Sequence, residues 1–172
     1  MLPERKKDES IVIRKPEVED GILIYDLVSR CPPLDLNSVY SYLLISAHFQ
    51  ETSAVAEFNG KLVGYCSAYI PPKKIDTLFI WQVAVKENAR GLGIALSMIQ
   101  RILARKDLSE ISFIETTISP DNHPSLSLFT RLASDLDAEI NKKSFFSMDL
   151  FGESNHPPEY LYQIGPINSI LN

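Results

Sequence analysis

The sequence predicts an α/β fold in which a mixed central sheet is flanked by helices, and three observations lead to this prediction. Apolar residues recur at helical spacing between Leu92 and Leu103, which marks the buried face of one helix. Apolar runs at 52–58, 62–70 and 78–85 follow one another closely and predict three consecutive antiparallel strands. Further strands and helices alternate on both sides of this group, an order that excludes a doubly wound parallel sheet.

The first part of the chain is predicted to form a strand and two helices. Residues 11–14 have the composition of a short strand, and Pro16 with Asp20 indicates the start of the first helix. Two prolines make residues 31–35 a loop, because they remove two backbone donors and fix the local dihedral angles. A second helix is expected over 37–48.

The remaining elements are placed by turn residues and by apolar periodicity. Asn59 and Gly60 between two strands are typical of a tight hairpin. After the amphipathic helix we expect a strand over 111–117, a helix over 122–133 and a closing strand over 144–150. A tail follows to the last residue of the sequence.

Composition and charge indicate one globular domain. Hydrophobic residues make up 45% of the sequence and charged residues 23%. We expect a flexible leader over 1–10 and a single domain over 11–172. The 22 acidic side chains outnumber the 17 basic ones, which form no dense stripe, so nucleic acid is not expected as a partner.

Neither a membrane partner nor a metal site is expected. No apolar stretch approaches the about 20 residues of a membrane span, and the first residues include no apolar signal segment. Cys31 and Cys66 lack Cys-x-x-Cys spacing, and free thiols are the default in a reducing cytosol. The sequence therefore predicts a cytoplasmic protein.

A glycine-containing turn joins the strand at 78–85 to the amphipathic helix. Gly91 and Gly93 permit close approach to the backbone, and the unpaired amides of the first helical turn form an anion site suited to a pyrophosphate. The alternative is an ordinary helix start, where glycine only relaxes a tight turn. A dinucleotide fingerprint requires a small residue where Leu96 stands, and the Gly-Lys-Ser/Thr of a P-loop is absent.

Residues 90–95, RGLGIA after an apolar strand, resemble the acyl-CoA pyrophosphate loop of the GNAT acetyltransferase superfamily, and the element order over 11–150 is similar to that fold. The resemblance implies acetyl-CoA as co-substrate. It implies that the strand at 82–85 separates from that at 114–117 and pairs with the pantetheine arm, while the N–H near Val83 polarises the thioester carbonyl. The implied CoA-binding residues are Val83, Ala84, Val85, Arg90, Gly91, Leu92, Gly93, Ile94, Ala95, Asn122, Ser125 and Phe129.

Asn122, Ser125 and Phe129 have an alternative interpretation, in which they form a helix cap followed by core packing. Phe129 also departs from the family pattern. Many members carry a tyrosine there, whose hydroxyl protonates the departing thiolate, and phenylalanine has no proton to donate. The CoA thiol, with a pKa near the value of about 8.5 for cysteine, then leaves with the help of solvent or of another group.

Four stretches resemble the L-2,4-diaminobutyrate acetyltransferases of ectoine biosynthesis. They are 31–40 (CPPLDLNSVY), 76–85 (DTLFIWQVAV), 115–122 (ETTISPDN) and 156–162 (HPPEYLY). The resemblance implies acetylation of the γ-amine of L-2,4-diaminobutyrate, a product used to make a compatible solute under osmotic stress, and a homodimeric protein. The family's tail usually has acidic residues where Pro157 and Pro158 stand.

The acceptor carries two ammonium groups and a carboxylate, so its pocket needs hydrogen-bond acceptors for the amines and a donor for the acid. Asp35 and Glu115 are the expected carboxylates. The alternative for Asp35 is the N-cap of a helix that begins near Asn37. Glu115 interrupts an apolar strand, where its alternative is an outward, solvated orientation.

Other expected contacts to the acceptor come from aromatic and polar residues. Trp81 is expected to cover the carbon chain of the substrate and to contact an ammonium by cation–π attraction, or else to pack in the core. Tyr40 either donates a hydrogen bond to the substrate or packs. Thr117 and His156 complete the set that the family resemblance implies.

The expected reaction is direct transfer. An aliphatic ammonium with a pKa of about 10.4 must lose a proton before it attacks the thioester. Glu115, directly or through water, is the candidate proton acceptor. No histidine accompanies either cysteine in a recognisable arrangement, so an acyl-enzyme is not expected. Two alternatives stay open: an acetyltransferase for another small amine, and a non-catalytic acyl-CoA-binding regulatory module.

Overall fold

A seven-stranded mixed sheet forms the centre of the protein in the computed structural model, which describes residues 10–167. Its strands are β1 (Ile11–Arg14), β2 (Ala54–Phe58), β3 (Lys61–Tyr69), β4 (Thr77–Val85), β5 (Phe113–Ile118), β6 (Ile140–Phe146) and β7 (Glu159–Ile164). They lie in the order β1-β2-β3-β4-β5-β7-β6. β4 and β5 are parallel and the other neighbouring pairs are antiparallel, which confirms the predicted mixed sheet.

Helices cover both faces of this sheet. α1 (Gly21–Val28) and α2 (Val39–His48) pack on one face, here called the α1–α2 face, against buried side chains such as Tyr65. α3 (Ile94–Leu103) and α4 (His123–Asp135) pack on the opposite, α3–α4 face. Apolar side chains spaced one helical turn apart, such as those of Met98 and Ile102, are fully buried there and confirm the predicted apolar face of α3.

Two helix starts differ from the prediction. α3 begins only at Ile94, and Leu92, which was included in the apolar face, is 66% exposed. α2 begins at Val39, and the cap is Ser38, whose hydroxyl accepts a hydrogen bond from the Ser41 N–H at 3.2 Å. The alternative reading of Asp35 as the cap is therefore wrong.

The predicted hairpin between β2 and β3 is confirmed. Asn59 and Gly60 form its turn, and both have positive φ, 52° and 71°. This conformation matches the right-handed twist of the flanking strands and favours asparagine and glycine at these two positions. The hairpin, continued by β4, places the three central strands next to one another.

The prediction for the C-terminal part is wrong. The expected strand over 144–150 is instead β6, which ends at Phe146, and Met148–Phe151 form a 3-10 turn. A further strand, β7, arises from the segment predicted as a tail and inserts between β5 and β6. β6 is an edge strand with both faces largely exposed, so its sequence shows none of the apolar alternation that marks a half-buried strand.

The predicted leader over 1–10 lies outside the described residues, apart from Ser10. Within residues 10–167 no helix combines the length and the apolar composition that crossing a membrane requires.

Candidate active site

β4 and β5 separate halfway along their length and leave a gap between them. Their parallel pairing ends with Ile80 and Thr116. At the same place β4 carries a bulge, in which Trp81 has no partner in the register with β3. A bulge bends a strand and interrupts its ladder, which accounts for the separation. The predicted opening of the strand at 82–85 is confirmed.

The backbone of Val83 faces this gap. The Lys86 N–H donates to the Val63 carbonyl at 2.8 Å, which fixes one hydrogen-bonded pair between β3 and the end of β4. Hydrogen-bonded and non-hydrogen-bonded residue pairs alternate along an antiparallel ladder. Val83 and Val85 fall in the non-hydrogen-bonded pairs, so their backbone N–H and C=O groups point away from β3. The Val85 carbonyl accordingly accepts a hydrogen bond from Arg90 Nε at 3.1 Å. The Val83 N–H is thus directed into the gap.

The glycine turn before α3 forms an open cradle. Gly91 and Gly93 have φ of 79° and 74°, and a Cβ built on either would meet no protein atom within 4 Å. Gly93 is the N-cap of α3 and has no side chain to satisfy the first amides of the helix. This open space and these unsatisfied donors fit a pyrophosphate. Ala84 and Ile94 are buried, so their contribution to CoA binding would come from the backbone.

The start of α4 has the cap geometry that the alternative reading describes. The Asn122 Oδ1 accepts a hydrogen bond from the Ser125 N–H at 3.2 Å. Phe129 is 2% exposed and packs in the core of the α3–α4 face. Cap and core packing are therefore the local roles of these residues, and their contact with CoA stays a prediction.

Glu115 lies on the α1–α2 face, with Thr117 two positions further along β5 on the same side. Glu115 is 3% exposed, so the outward orientation is wrong. Its two carboxylate oxygens accept hydrogen bonds from Lys74 Nζ at 2.7 and 2.9 Å, and Gln163 Nε2 donates to one of them at 2.8 Å. Burial, reinforced by the Glu115 charge, raises the pKa of Tyr69.

A second polar cluster lies at the mouth of the gap. His156 Nε2 is 3.8 Å from Asp35 Oδ2 and 4.0 Å from Glu159 Oε1, and the imidazole stacks on the ring of Phe151 at 4.0 Å. Burial raises the pKa of Glu159, although His156 and Thr117 beside it act in the opposite direction. The structure thus brings the predicted Asp35, Thr117 and His156 together and adds Glu159, which sequence reasoning missed.

The loop that carries Asp35 is attached directly to β4. Gln82 Nε2 donates to the Asp35 carbonyl at 2.7 Å, and the Tyr42 hydroxyl donates to Gln82 Oε1 at 3.3 Å. The same hydroxyl accepts from the Asn37 N–H at 3.3 Å. These bonds fix the position of the Asp35 loop relative to β4. Gln82 is a polar residue within an apolar strand. The same sequence pattern singles out Glu115.

Trp81 and Tyr40 are exposed on this side of the sheet. Trp81 is 51% exposed and lines a cavity of about 230 Å³ together with Phe49 and Tyr69, so its alternative reading as a core residue is wrong. Tyr40, on the first turn of α2, is 68% exposed and does not pack either. Both side chains are free to contact a ligand.

Comparison with known proteins agrees with this geometry. Residues 22–133 match the model of the acetyltransferase (GNAT) family. The L-2,4-diaminobutyric acid acetyltransferase of Halomonas elongata is 45% identical over 92% of this chain and 83% of its own length. That of Methylotuvimicrobium alcaliphilum is 43% identical over 99% of both chains.

Solved structures show the same likeness. The diaminobutyrate acetyltransferase EctA from Paenibacillus lautus, in complex with its substrate L-2,4-diaminobutyric acid and coenzyme A, superimposes with a TM-score of 0.90. It is 35% identical, and the match covers 95% of this chain and 99% of that one. Ard1 from Thermoplasma volcanium, 15% identical with a TM-score of 0.72 over 90% of this chain and 97% of its own, shares the fold alone. The chain therefore belongs to the GNAT acetyltransferases and, within them, to the L-2,4-diaminobutyric acid acetyltransferases.

Proposed function

We propose that the protein transfers the acetyl group of acetyl-CoA to the γ-amine of L-2,4-diaminobutyrate, giving N4-acetyl-L-2,4-diaminobutyrate and CoA. The observation that carries this proposal is the gap between β4 and β5, with a glycine cradle at one end and carboxylates at its mouth. The relatives of that name, up to 45% identical, support the same acceptor. The family resemblance implies that the protein uses acetyl-CoA and takes part in ectoine biosynthesis. Both features favour a cytoplasmic enzyme that contributes to protection against osmotic stress.

The donor would lie along β4. The pyrophosphate would rest on the first amides of α3 beside Gly91 and Gly93, where the backbone is open. The pantetheine arm would pair with the backbone groups of Val83 and Val85 that face the gap. In this position the Val83 N–H donates to the thioester oxygen and stabilises the negative charge that develops there during attack.

The acceptor would lie on the α1–α2 face against β5. Its ammonium groups need acidic partners, which Asp35 and Glu115 would supply, Asp35 beside His156 and Glu115 beside Lys74. Trp81 covers the carbon chain, while Tyr40, Thr117 and His156 supply polar contacts around it. Glu115 either anchors an ammonium or accepts the proton that the attacking amine must lose. Holding amine and thioester together supplies much of the rate acceleration.

We expect acetylation on the γ-amine and none on the α-amine. The α-ammonium and the carboxylate form the handle by which the site orients an amino acid, which leaves the side-chain amine free to reach the thioester. NMR spectroscopy of the product distinguishes the two isomers, and thiol release measures the reaction. An α-acetylated product contradicts the proposed orientation. Faster thiol release with another small amine would point to a different acceptor, and acetyl-CoA binding without turnover of any amine would point to a regulatory module.

We propose also that the protein is a homodimer formed through the outer edge of β6. This strand is the last of the sheet, and its residues after Ile140 are exposed. Phe145 and Phe146 are 45% and 41% exposed, and exposed aromatic side chains on an unpaired edge strand favour pairing with another chain. Phe146 contacts Phe151, which stacks on His156, so this edge is continuous with the acceptor site.

Replacing Phe145 with lysine is expected to convert the dimer to monomer, because a charge would have to be buried at the edge of β6. The control is Val12→Lys, which places the same charge on β1, the strand at the opposite edge of the sheet, where Val12 is 51% exposed. Light scattering gives the mass of each variant. A monomeric wild type, or a dimer lost only in the Val12 variant, contradicts this interface.

A further inference from the structure

Glu159 lies on the acceptor side of the sheet, although neither composition nor periodicity singled it out. It is the first residue of β7, and alternation places its side chain on the same face as those of Leu161 and Gln163. Leu161 pairs with Thr117 and Gln163 pairs with Glu115 in the register of β7 with β5. Glu159 therefore extends the row of polar residues on this face past Thr117, beyond the point where β4 and β5 part.

One oxygen of this carboxylate accepts no hydrogen bond from residues 10–167. The side chain of Glu159 is 18% exposed, and its Oε2 is buried without a hydrogen bond. Buried carboxylate oxygens normally accept a hydrogen bond, so an oxygen that receives none from the described residues is open to a donor such as a substrate ammonium. The other oxygen faces His156 Nε2 at 4.0 Å. Because the Nδ1 of His156 lies 2.7 Å from the Pro157 carbonyl, which can only accept, Nδ1 carries a hydrogen.

Glu115 differs from Glu159 in both position and pairing. It lies opposite Phe79, where β4 and β5 are still paired, and the ammonium of Lys74 contacts both its oxygens. Both oxygens of Glu115 therefore already accept hydrogen bonds from donors of the protein, whereas a proton acceptor needs an oxygen open to the reacting amine. Among residues 10–167 no lysine or arginine forms an ion pair with Glu159. Burial raises its pKa, Asp35 and Asp121 act in the same direction, and His156 and Thr117 oppose them.

We infer that Glu159 is the proton acceptor of the acetyl transfer, an inference that rests on the proposed function. Its Oε2 takes one proton from the γ-ammonium, and the nitrogen lone pair then attacks the thioester carbon. The new C–N bond forms, the C–S bond breaks, and its electron pair leaves with sulfur as thiolate. The thiolate takes the second proton from the nitrogen, and the protonated Glu159 releases its own to solvent. The net products are amide, CoA thiol and one proton.

Glu159→Gln tests this assignment, because the amide keeps the shape of the side chain and cannot take up a proton. We expect kcat for thiol release with diaminobutyrate to fall about 10²- to 10⁴-fold, the range attributed to a positioned base. Acetyl-CoA affinity, measured by calorimetry, should not change. The control is Glu153→Gln, the same substitution at an exposed position of the preceding turn, which should behave as wild type.

The pH profile separates a proton acceptor from a structural residue. Wild-type kcat should fall only at low pH, as Glu159 becomes protonated, and stay level above that range. In Glu159→Gln this acid limb with its plateau should be replaced by a kcat that rises continuously with pH as free amine accumulates. Glu159→Asp, which restores a carboxylate, should recover part of kcat and the acid limb. An effect on KM alone, or a Gln variant that keeps the wild-type profile, overturns the inference. A wild type inactive with diaminobutyrate would overturn the proposed function instead.

Discussion

Replacing Gly93 with alanine is expected to raise the dissociation constant of acetyl-CoA about 10- to 100-fold, equivalent to one lost charge-assisted hydrogen bond of roughly 1.5–3 kcal/mol. An added Cβ at Gly93 meets no protein atom within 4 Å, so the methyl group would occupy space that the pyrophosphate needs. The first amides of α3, which no side chain caps, would then lose close contact with the anion. Calorimetric titration with acetyl-CoA measures the change.

Gly60→Ala is the matched control for this substitution. Gly60 has φ of 71° against 74° for Gly93, and an added Cβ meets no atom within 4 Å at either position. Both variants therefore carry the backbone strain of a side chain at positive φ, about 1 kcal/mol, which a thermal unfolding curve records. Only the change at Gly93 should affect acetyl-CoA binding. Equal affinities in the two variants would show that the cradle is an ordinary turn.

The elements that the sequence predicts correctly are those whose signal is local. The turn at Asn59 and Gly60 needs two residues that tolerate positive φ, and both are visible in the sequence. The apolar face of α3 repeats with the helical period, and the glycines before it announce a turn without side chains. The cradle could be predicted because it consists of backbone groups of consecutive residues.

The C-terminal strands could not be predicted because their signal is not local. β6 has the sequence INKKSFF, in which charged and aromatic residues follow one another without alternation, since neither of its faces is covered. β7 inserts between two strands that precede it in the chain, and only its pairing with β5 decides that it is a strand. Because the sequence analysis predicts a tail where β7 lies, it assigns no role to Glu159 and Gln163, which β7 brings to the site.

The sequence indicates which residues belong to the site better than it indicates their hydrogen-bond and ion-pair partners. Glu115 was identified because a carboxylate interrupts an apolar run, and the structure places it in a buried ion pair. Its partner Lys74 belongs to the loop between β3 and β4, 41 positions earlier in the sequence. No spacing rule connects two residues so far apart, because the connection depends on the register of β4 and β5. Trp81 was expected to form a wall, and the bulge that exposes it was not visible in the sequence.

Replacing Glu115 with glutamine is expected to raise KM for diaminobutyrate about 10- to 100-fold, as for a lost hydrogen bond between charged groups of roughly 1.5–3 kcal/mol. Lys74 and Gln163 hold the Glu115 carboxylate in a fixed position, from which it can attract a substrate ammonium. In the variant, the ammonium of Lys74 would face that of the substrate without a carboxylate between them. Steady-state kinetics separates KM from kcat.

The double variant Lys74→Met, Glu115→Gln distinguishes repulsion from lost attraction. If the Lys74 ammonium repels the substrate once Glu115 is neutral, removing both charges should lower KM again, whereas loss of attraction alone leaves KM as high as in Glu115→Gln. Glu110→Gln, at an exposed position before β5, serves as the control. A fall in kcat of about 10²- to 10⁴-fold with KM unchanged would instead make Glu115 the proton acceptor. The assignment of that step to Glu159 would then be wrong, because one attacking amine needs only one base.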